Sequence, residues 1–281
     1  MPPTISELLR RSDQLAAVSD TPRLDVEVLL CHLLGKDRAF LYTWPDHQLN
    51  DARLADFYAA FERRKNGEPV AYIIGQREFW SLPLEVEPST LIPRPETELL
   101  VEVALDLPLP EKAQVLDLGT GTGAIALALA SERSGWQVDA VDVVEEAVAL
   151  AERNRQTLQL NNARVWQSCW FQCVTANGYH LIVSNPPYID PQDAHLQQGD
   201  VRFEPRSALV AQQSGLADIE TIIACAPGHL QPGGWLLFEH GYDQGEAVQR
   251  LLTEGGFKQV ETRQDLAGND RVSLGCYSGQ R

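Results

Sequence analysis

From Ile5 to about Ile74 the apolar residues recur at helical spacing, as in Leu24, Val26, Leu29, Leu30 and Leu33, then Leu54, Phe57, Tyr58 and Phe61. One buried face per helix in several short helices predicts a small helical domain over residues 1–75. Gly35 and Gly67 read as helix stops, and Arg63, Arg64 and Lys65 put cations in a final turn, where the helix dipole favours them and where such a run is expected to be solvated. The spacing then changes to alternation: Phe79, Leu82, Leu84 and Val86, followed by Leu91 and Ile92, predict a β hairpin and place a linker at residues 76–95. Arg94-Pro95-Glu96-Thr97-Glu98 opens the next helix with a proline and acids in its first turn. Helix capping accounts for that stretch, and its place at a domain junction also makes it a candidate cleft wall.

After Gln114 strands and helices alternate: Val115 to Leu118, Ala124 to Ser131, Gln137 to Val141, Val143 to Gln159, Ala163 to Gln167, and Leu181 to Ser184. This predicts an α/β domain over residues 96–281, with a mostly parallel, doubly wound sheet covered on both faces. A helix from about Leu216 to Leu230 and the strand Trp235 to Phe238 continue it. Lys258 to Arg263 and Arg271 to Cys276, joined by the turn signal Ala267-Gly268-Asn269-Asp270, predict an antiparallel pair at one edge. The longest apolar run, Ala124 to Ala130, is too short for a membrane span and reads as a buried helix.

Composition narrows the partners. With 44% hydrophobic and 22% charged residues, the 281-residue chain is that of a globular protein. Its formal net charge of -16 disfavours nucleic acid and suits a cationic ligand or a basic protein segment. The five cysteines, Cys31, Cys169, Cys173, Cys225 and Cys276, are scattered without a CxxC pair, so neither a disulfide framework nor a metal site is expected. A cytoplasmic, reduced setting follows, and residues Met1 to Asp20 lack the apolar core of a signal peptide. No membrane association is expected, and nothing in the sequence demands more than a monomer.

The chemistry gathers at the ends of the predicted strands. Asn185-Pro186-Pro187-Tyr188 follows the strand Leu181 to Ser184, at the carboxyl edge where open α/β sheets hold ligands. Two prolines fix the exit of the chain and expose the Asn185 side chain and nearby carbonyls. A planar NH2 group can donate both hydrogens to the Asn185 oxygen and the Pro186 carbonyl while stacking on Tyr188. A tight post-strand turn with a packed tyrosine is the alternative for this step alone. Upstream, Asp117-Leu118-Gly119-Thr120-Gly121-Thr122-Gly123 leads from strand to helix, where glycines let the backbone lie against a ligand and helix amides are expected to meet its polar atoms. With Ala124 next, the run also satisfies a looser dinucleotide fingerprint. Asp142 stands about 20 residues on, where an acid accepts from ribose hydroxyls; it can equally cap the following helix. A nicotinamide site has no use for an amide-gripping step, whereas a methyltransferase acting on NH2 does.

Together, DLGTGTGAIALALA, Asp142, SNPPYI, LIPRPETE, HLQQGDVRFEP and LLFEHG resemble the bacterial peptide-chain release factor glutamine methyltransferases, the HemK/PrmC family, over nearly the whole chain. The resemblance implies a class I S-adenosylmethionine-dependent methyltransferase, Rossmann-like, with a small helical amino-terminal domain that docks a release factor. The acceptor is then the glutamine of the Gly-Gly-Gln loop in class-one release factors. It also implies that Gly119, Thr120, Gly121, Thr122 and Gly123 hold the methionine part of S-adenosylmethionine, Asp142 its ribose, and that Trp170 flanks the adenine. Asn185 would touch both cofactor and substrate, and Pro186, Pro187 and Tyr188 would shape the glutamine pocket, with Asn185, Pro186 and Tyr188 carrying catalysis. One position departs from the family: Cys169 stands before Trp170 where an acid is usual. A thiol accepts weakly, so a weaker adenine contact or a substitute acceptor is expected. Two rivals remain, an exocyclic-amine methyltransferase of nucleic acid and a non-catalytic cofactor-binding adaptor. The acidic chain argues against the first, and the acceptor-side NPPY against the second.

Overall fold

The computed structural model describes residues 2–279, which gather into two compact units. The first takes the chain up to Gln76 together with Ala194–Phe203. Its helices are α1 (Ile5–Leu9), α2 (Pro22–Leu34), α3 (Arg38–Thr43), α4 (Asp51–Lys65) and α5 (Val70–Ile74). Thr4 and Glu7 form a reciprocal capping box at the start of α1, and Gly35 closes α2 in the left-handed conformation, as the sequence predicts. Ile5, Leu8, Leu30, Phe57 and Phe61 fill the core.

The basic run at the end of α4 departs from expectation. Arg64 is buried, with Nε 2.6 Å from Asp25 Oδ2 and Nη1 2.9 Å from Asp200 Oδ1; it also donates to the carbonyls of Val18, Gly67 and Glu68. A guanidinium with all three nitrogens engaged can be buried where a lone charge cannot. The arginine thereby ties Ala194–Phe203 into the first unit. Gly67 has φ +94°, and a Cβ there would lie 1.7 Å from Arg202 Nη2, so glycine is required by close approach as well as by conformation.

The second unit begins at Arg77, within the hairpin of β1 (Gln76–Phe79) and β2 (Leu82–Glu85). Its two-residue turn, Trp80-Ser81, has positive φ at both positions without a glycine or asparagine, so alternation alone announced the hairpin. A tight turn over Pro95–Thr97 leads into α6 (Glu98–Asp106). There follow β3 (Gln114–Leu118), α7 (Ala124–Glu132), β4 (Gln137–Asp142), α8 (Glu145–Thr157), β5 (Ala163–Gln167) and β6 (Tyr179–Ser184). After them come the short turn α9 (Gln212–Gly215), α10 (Ala217–Cys225), β7 (Leu230–Glu239), α11 (Gly245–Glu254), β8 (Phe257–Gln264) and β9 (Asp270–Tyr277).

The seven-stranded sheet has the order β5-β4-β3-β6-β7-β9-β8, parallel from β5 to β7. β9 inserts antiparallel between β7 and β8, so the predicted edge pair does form, with the later strand on the inside. Alternate residues serve opposite faces: Val115, Leu181 and Leu237 join one core, Leu116, Ile182 and Leu236 the other. The whole run Ala124 to Ala130 is buried, as predicted. The predicted helix from Leu216 to Leu230 is shorter: Pro227 ends it, and Leu230 already belongs to β7. Among the described residues no helix is long and apolar enough to cross a membrane.

Candidate active site

The strand order reverses between β3 and β6, and the loops after these two strands meet at a cavity of about 310 Å³. Gly119, Thr120, Gly121 and Thr122 line it after β3, Asp142 at the end of β4, and Asn185 and Pro187 after β6. Trp170 and Cys169 form another side, and Pro93, Arg94 and Thr97 supply the wall expected from the LIPRPETE stretch. Gly123, Pro186 and Tyr188 do not line it. Gly123 packs back on α7, where a Cβ would approach Leu127 Cδ1 to 2.9 Å.

The glycine loop is braced from within. Gly119 and Thr120 donate their amides to Val141 O, Gly121 to Asp142 Oδ2, and Gly123 to Thr120 O. The row of free amides expected from the sequence is therefore largely committed to the protein, and the glycines serve conformation: Gly119 has φ +75°, and a Cβ there would meet the Trp170 ring only at ordinary contact distance, 3.4 Å. Asp142 lines the cavity, and its Oδ1 also accepts from Val144 N at 2.9 Å in the turn before α8, whose N-cap position is Val144 and takes no side-chain cap. Burial raises the Asp142 pKa, and the amides of Val144 and Gly121 oppose the rise. Asp117 supports the loop from below: fully buried, it accepts from Thr120 Oγ1 at 2.6 Å, and burial pushes it up to about 7.

Trp170 sits at φ +47°, an uncommon conformation for a bulky residue. Ser168 Oγ holds it there, donating to Trp170 O at 2.8 Å and accepting from Cys173 N at 2.9 Å. Asp218, from α10, lines the same side of the cavity; burial raises its pKa and the Trp170 indole lowers it. Sequence reasoning missed this acid, whose only local signal is an Asp in the first turn of a helix.

At the NPPY step, Asn185 Nδ2 donates to Thr97 Oγ1 at 3.3 Å, and the Tyr188 hydroxyl donates to Glu239 Oε1 at 3.3 Å. The chain beyond is held by Gln244 Nε2, 3.0 Å from Tyr188 O, and by Gly215, where a Cβ would lie 2.0 Å from that carbonyl. The sequence places Thr97 only in the candidate cleft wall and Glu239 only within LLFEHG, with no link from either to the NPPY step. For Glu239 a signal existed, an acid ending the apolar strand β7, which pairs Ser184 with Phe238 and so sets Glu239 beside Asn185.

The residues present fit S-adenosylmethionine. Ser89 lines the cavity, and its Oγ is buried with no hydrogen-bond partner, a polar group left unsatisfied beside the space a ligand would take. Asp142 offers a carboxylate, and Trp170 a flat apolar surface opposite the glycine loop. A parallel sheet with its last strand inserted antiparallel, and a glycine-lined cavity at its switch point, define a class I S-adenosylmethionine-dependent methyltransferase.

Comparison with known proteins resolves the class further. Residues 7–75 match the PrmC N-terminal domain and residues 95–203 the methyltransferase small domain. The release factor glutamine methyltransferase of Vibrio cholerae is 57% identical, over 94% of this chain and 92% of its own length. That of Pseudomonas aeruginosa is 58% identical, over 98% and 99%. The chain belongs to the release factor glutamine methyltransferase family. Among solved structures, a methyltransferase from Pyrococcus furiosus shares the fold, with a TM-score of 0.55 at 20% identity over 80% of this chain and 100% of that one. So does the hMettl16 catalytic domain in complex with a MAT2A 3'UTR hairpin, with a TM-score of 0.58 at 16% identity over 84% of each chain.

Proposed function

We propose that this chain transfers the methyl group of S-adenosylmethionine to the side-chain amide nitrogen of the glutamine in the Gly-Gly-Gln loop of a class-one release factor. The observation that carries this reading is the hydrogen bond from Asn185 Nδ2 to Thr97, which leaves Asn185 Oδ1 as an acceptor at a residue lining the cavity. An amide nitrogen is a poor nucleophile because its lone pair is delocalised. Asn185 Oδ1 and the backbone carbonyl of Pro186, which is not itself a lining residue but stands in the chain between the lining residues Asn185 and Pro187, would accept its two hydrogens, draw electron density onto nitrogen and offset the charge that develops there. S-adenosylmethionine, when bound, supplies a methyl group already activated by a sulfonium. Positioning then does most of the work, and no strong base is needed beforehand.

In this reading Gly119 to Gly123 and Asp142 shape the cofactor side, with Trp170 against the adenine. Asp218 supplies near Trp170 the acid that Cys169 does not. Asn185, Pro186, Pro187 and Tyr188 form the acceptor side, Tyr188 by holding the step in place. The helical domain, residues 1–75, docks the release factor, and residues 76–95 link it to the methyltransferase domain at 96–281. The enzyme works as a cytoplasmic monomer on protein and not on nucleic acid, in keeping with its net charge of -16.

The test is methyl transfer from labelled S-adenosylmethionine to a purified release factor and to its Gln-to-Ala loop variant, with mass spectrometry locating the mark. Label on the wild-type glutamine alone is the expected result. Label at another residue, or on added nucleic acid in its place, overturns the reading.

A further inference from the structure

The buried carboxyl of Glu239 has no part in the chemistry described so far, yet it stands behind both polar residues of the NPPY step. It is 2% exposed, accepts from Tyr188 through Oε1, and its Oε2 is buried without a hydrogen-bond partner. A buried carboxyl half-satisfied in this way is costly unless it serves a purpose. Thr97, itself 4% exposed, lies beside the carboxyl with no formed hydrogen bond between them, near enough to favour its charged form. The Thr97 hydroxyl also receives Asn185 Nδ2 at 3.3 Å. Glu239, Thr97 and Asn185 thus stand in a row from the core to the cavity.

The direction of such a row is set by its innermost member. An ionised carboxylate can only accept, so the Thr97 hydroxyl turns its hydrogen inward and offers Asn185 a lone pair. The Asn185 NH2 must fill it, which leaves Oδ1 toward the cavity, where an acceptor amide needs it. A protonated Glu239 can donate to Thr97 instead; the lone pair is then contested, and the Asn185 amide loses its reason to keep one orientation over its flipped form. We propose that the Glu239 carboxylate, acting through Thr97, fixes the orientation of the Asn185 amide and is a positioning residue for methyl transfer. This rests on the role given to Asn185 above.

The charged and titratable groups facing Glu239 come from three directions: Tyr188 after β6, Arg271 on β9 and Glu96 before α6. His240, next in the chain, is engaged elsewhere, with Nε2 2.8 Å from Ser273 Oγ and Nδ1 2.8 Å from Gly241 O. Burial outweighs the opposing effects of Thr97, Tyr188 and Arg271 and brings Glu239 to about 7, so the row changes direction within the range where the enzyme can be assayed. Turnover should therefore rise as pH increases through about 7.

The experiment measures kcat, KM for the release factor and calorimetric affinity for S-adenosylmethionine, from pH about 5.5 to about 9, in wild type, Glu239→Gln, Thr97→Val, Thr97→Ser and Asn185→Ala. The carboxamide of Glu239→Gln keeps the volume but can donate to Thr97. We expect kcat to fall about 10- to 100-fold, the scale of one misdirected hydrogen bond to a charged group, with cofactor affinity held within about twofold and the inflection near pH 7 lost. Thr97→Val should lose kcat alike, and Thr97→Ser should regain most of it. Wild-type kcat in Glu239→Gln or Thr97→Val, or an unchanged pH profile in Glu239→Gln, overturns the proposal. If Glu239→Gln binds no cofactor, the Thr97 pair decides. Asn185→Ala separates the two readings: wild-type turnover there defeats the amide-gripping role itself, whereas its loss alongside an unaffected Glu239→Gln defeats only the relay.

Discussion

Asp142 holds Gly121 through the backbone amide: Oδ2 accepts from Gly121 N at 2.9 Å, so the acid that ends β4 fixes the loop that follows β3. Because Oδ1 also takes Val144 N at 2.9 Å, Asp142→Ala strands two amides at once. Each lost partner costs about 1–3 kcal/mol where the group stays away from water, so thermal unfolding should move to markedly lower temperature. Cofactor affinity measured by calorimetry should fall with it, and Asp142→Asn, which keeps one acceptor oxygen, should lie between.

At Gly215, with φ +82°, a Cβ would stand 2.0 Å from the Tyr188 carbonyl. Gly215→Ala must push Tyr188 or its own chain aside. We expect cofactor binding near the wild-type value with turnover lowered at least about tenfold, because the displaced residue holds the acceptor side of the cavity. Steady-state kinetics beside a binding titration checks the split.

Tyr179 is fully buried, and its hydroxyl donates to Asp139 Oδ2 at 2.7 Å; Arg164 takes the other oxygen. Tyr179→Phe leaves one carboxylate oxygen unpaired on a residue that is 4% exposed. Denaturant unfolding should show a loss of about 1–3 kcal/mol. Turnover below the transition should not change, because this pair stands at the opposite end of the sheet from the loops that line the cavity.

Burial keeps Asp117 protonated up to about 7, well above its usual 3.8. Between those values the folded chain retains a proton that the unfolded chain releases, so this contribution to stability is whole at acid pH and is lost as pH rises through about 7. Glu239 acts with the same sign. Wild-type unfolding temperature should fall from pH about 5 to about 8, and Asp117→Asn, which retains an oxygen for Thr120, should fall less.

The parts of the site legible in the sequence were those built from neighbours along the chain. A strand, a glycine turn and a helix are contiguous from Gln114 to Glu132, and the NPPY step follows directly on β6. Thr97 lay beyond such reading, for it meets Asn185 across 88 residues. Glu239 reaches the step only through the register of β6 with β7. Arg64 failed the expectation of a solvated helix end because its partners, Asp25 and Asp200, come from chain segments far on either side. The Trp80-Ser81 turn carries no residue that favours positive φ, so its geometry is imposed by the strands it joins.

The place of β9 between β7 and β8 bears on how the molecule is made. β7 contributes Leu236, Leu237 and Phe238 to the core, but the strand that hydrogen-bonds its far edge emerges from the ribosome only after α11 and β8. At roughly 5–20 residues per second, a stretch of about 40 residues leaves that edge open for some 2–8 seconds. During this interval β7 offers unpaired backbone to any other nascent strand, and β8, whose sole partner in the sheet is β9, cannot cover it. The chain therefore carries an open, aggregation-prone β7 edge until β9 is complete.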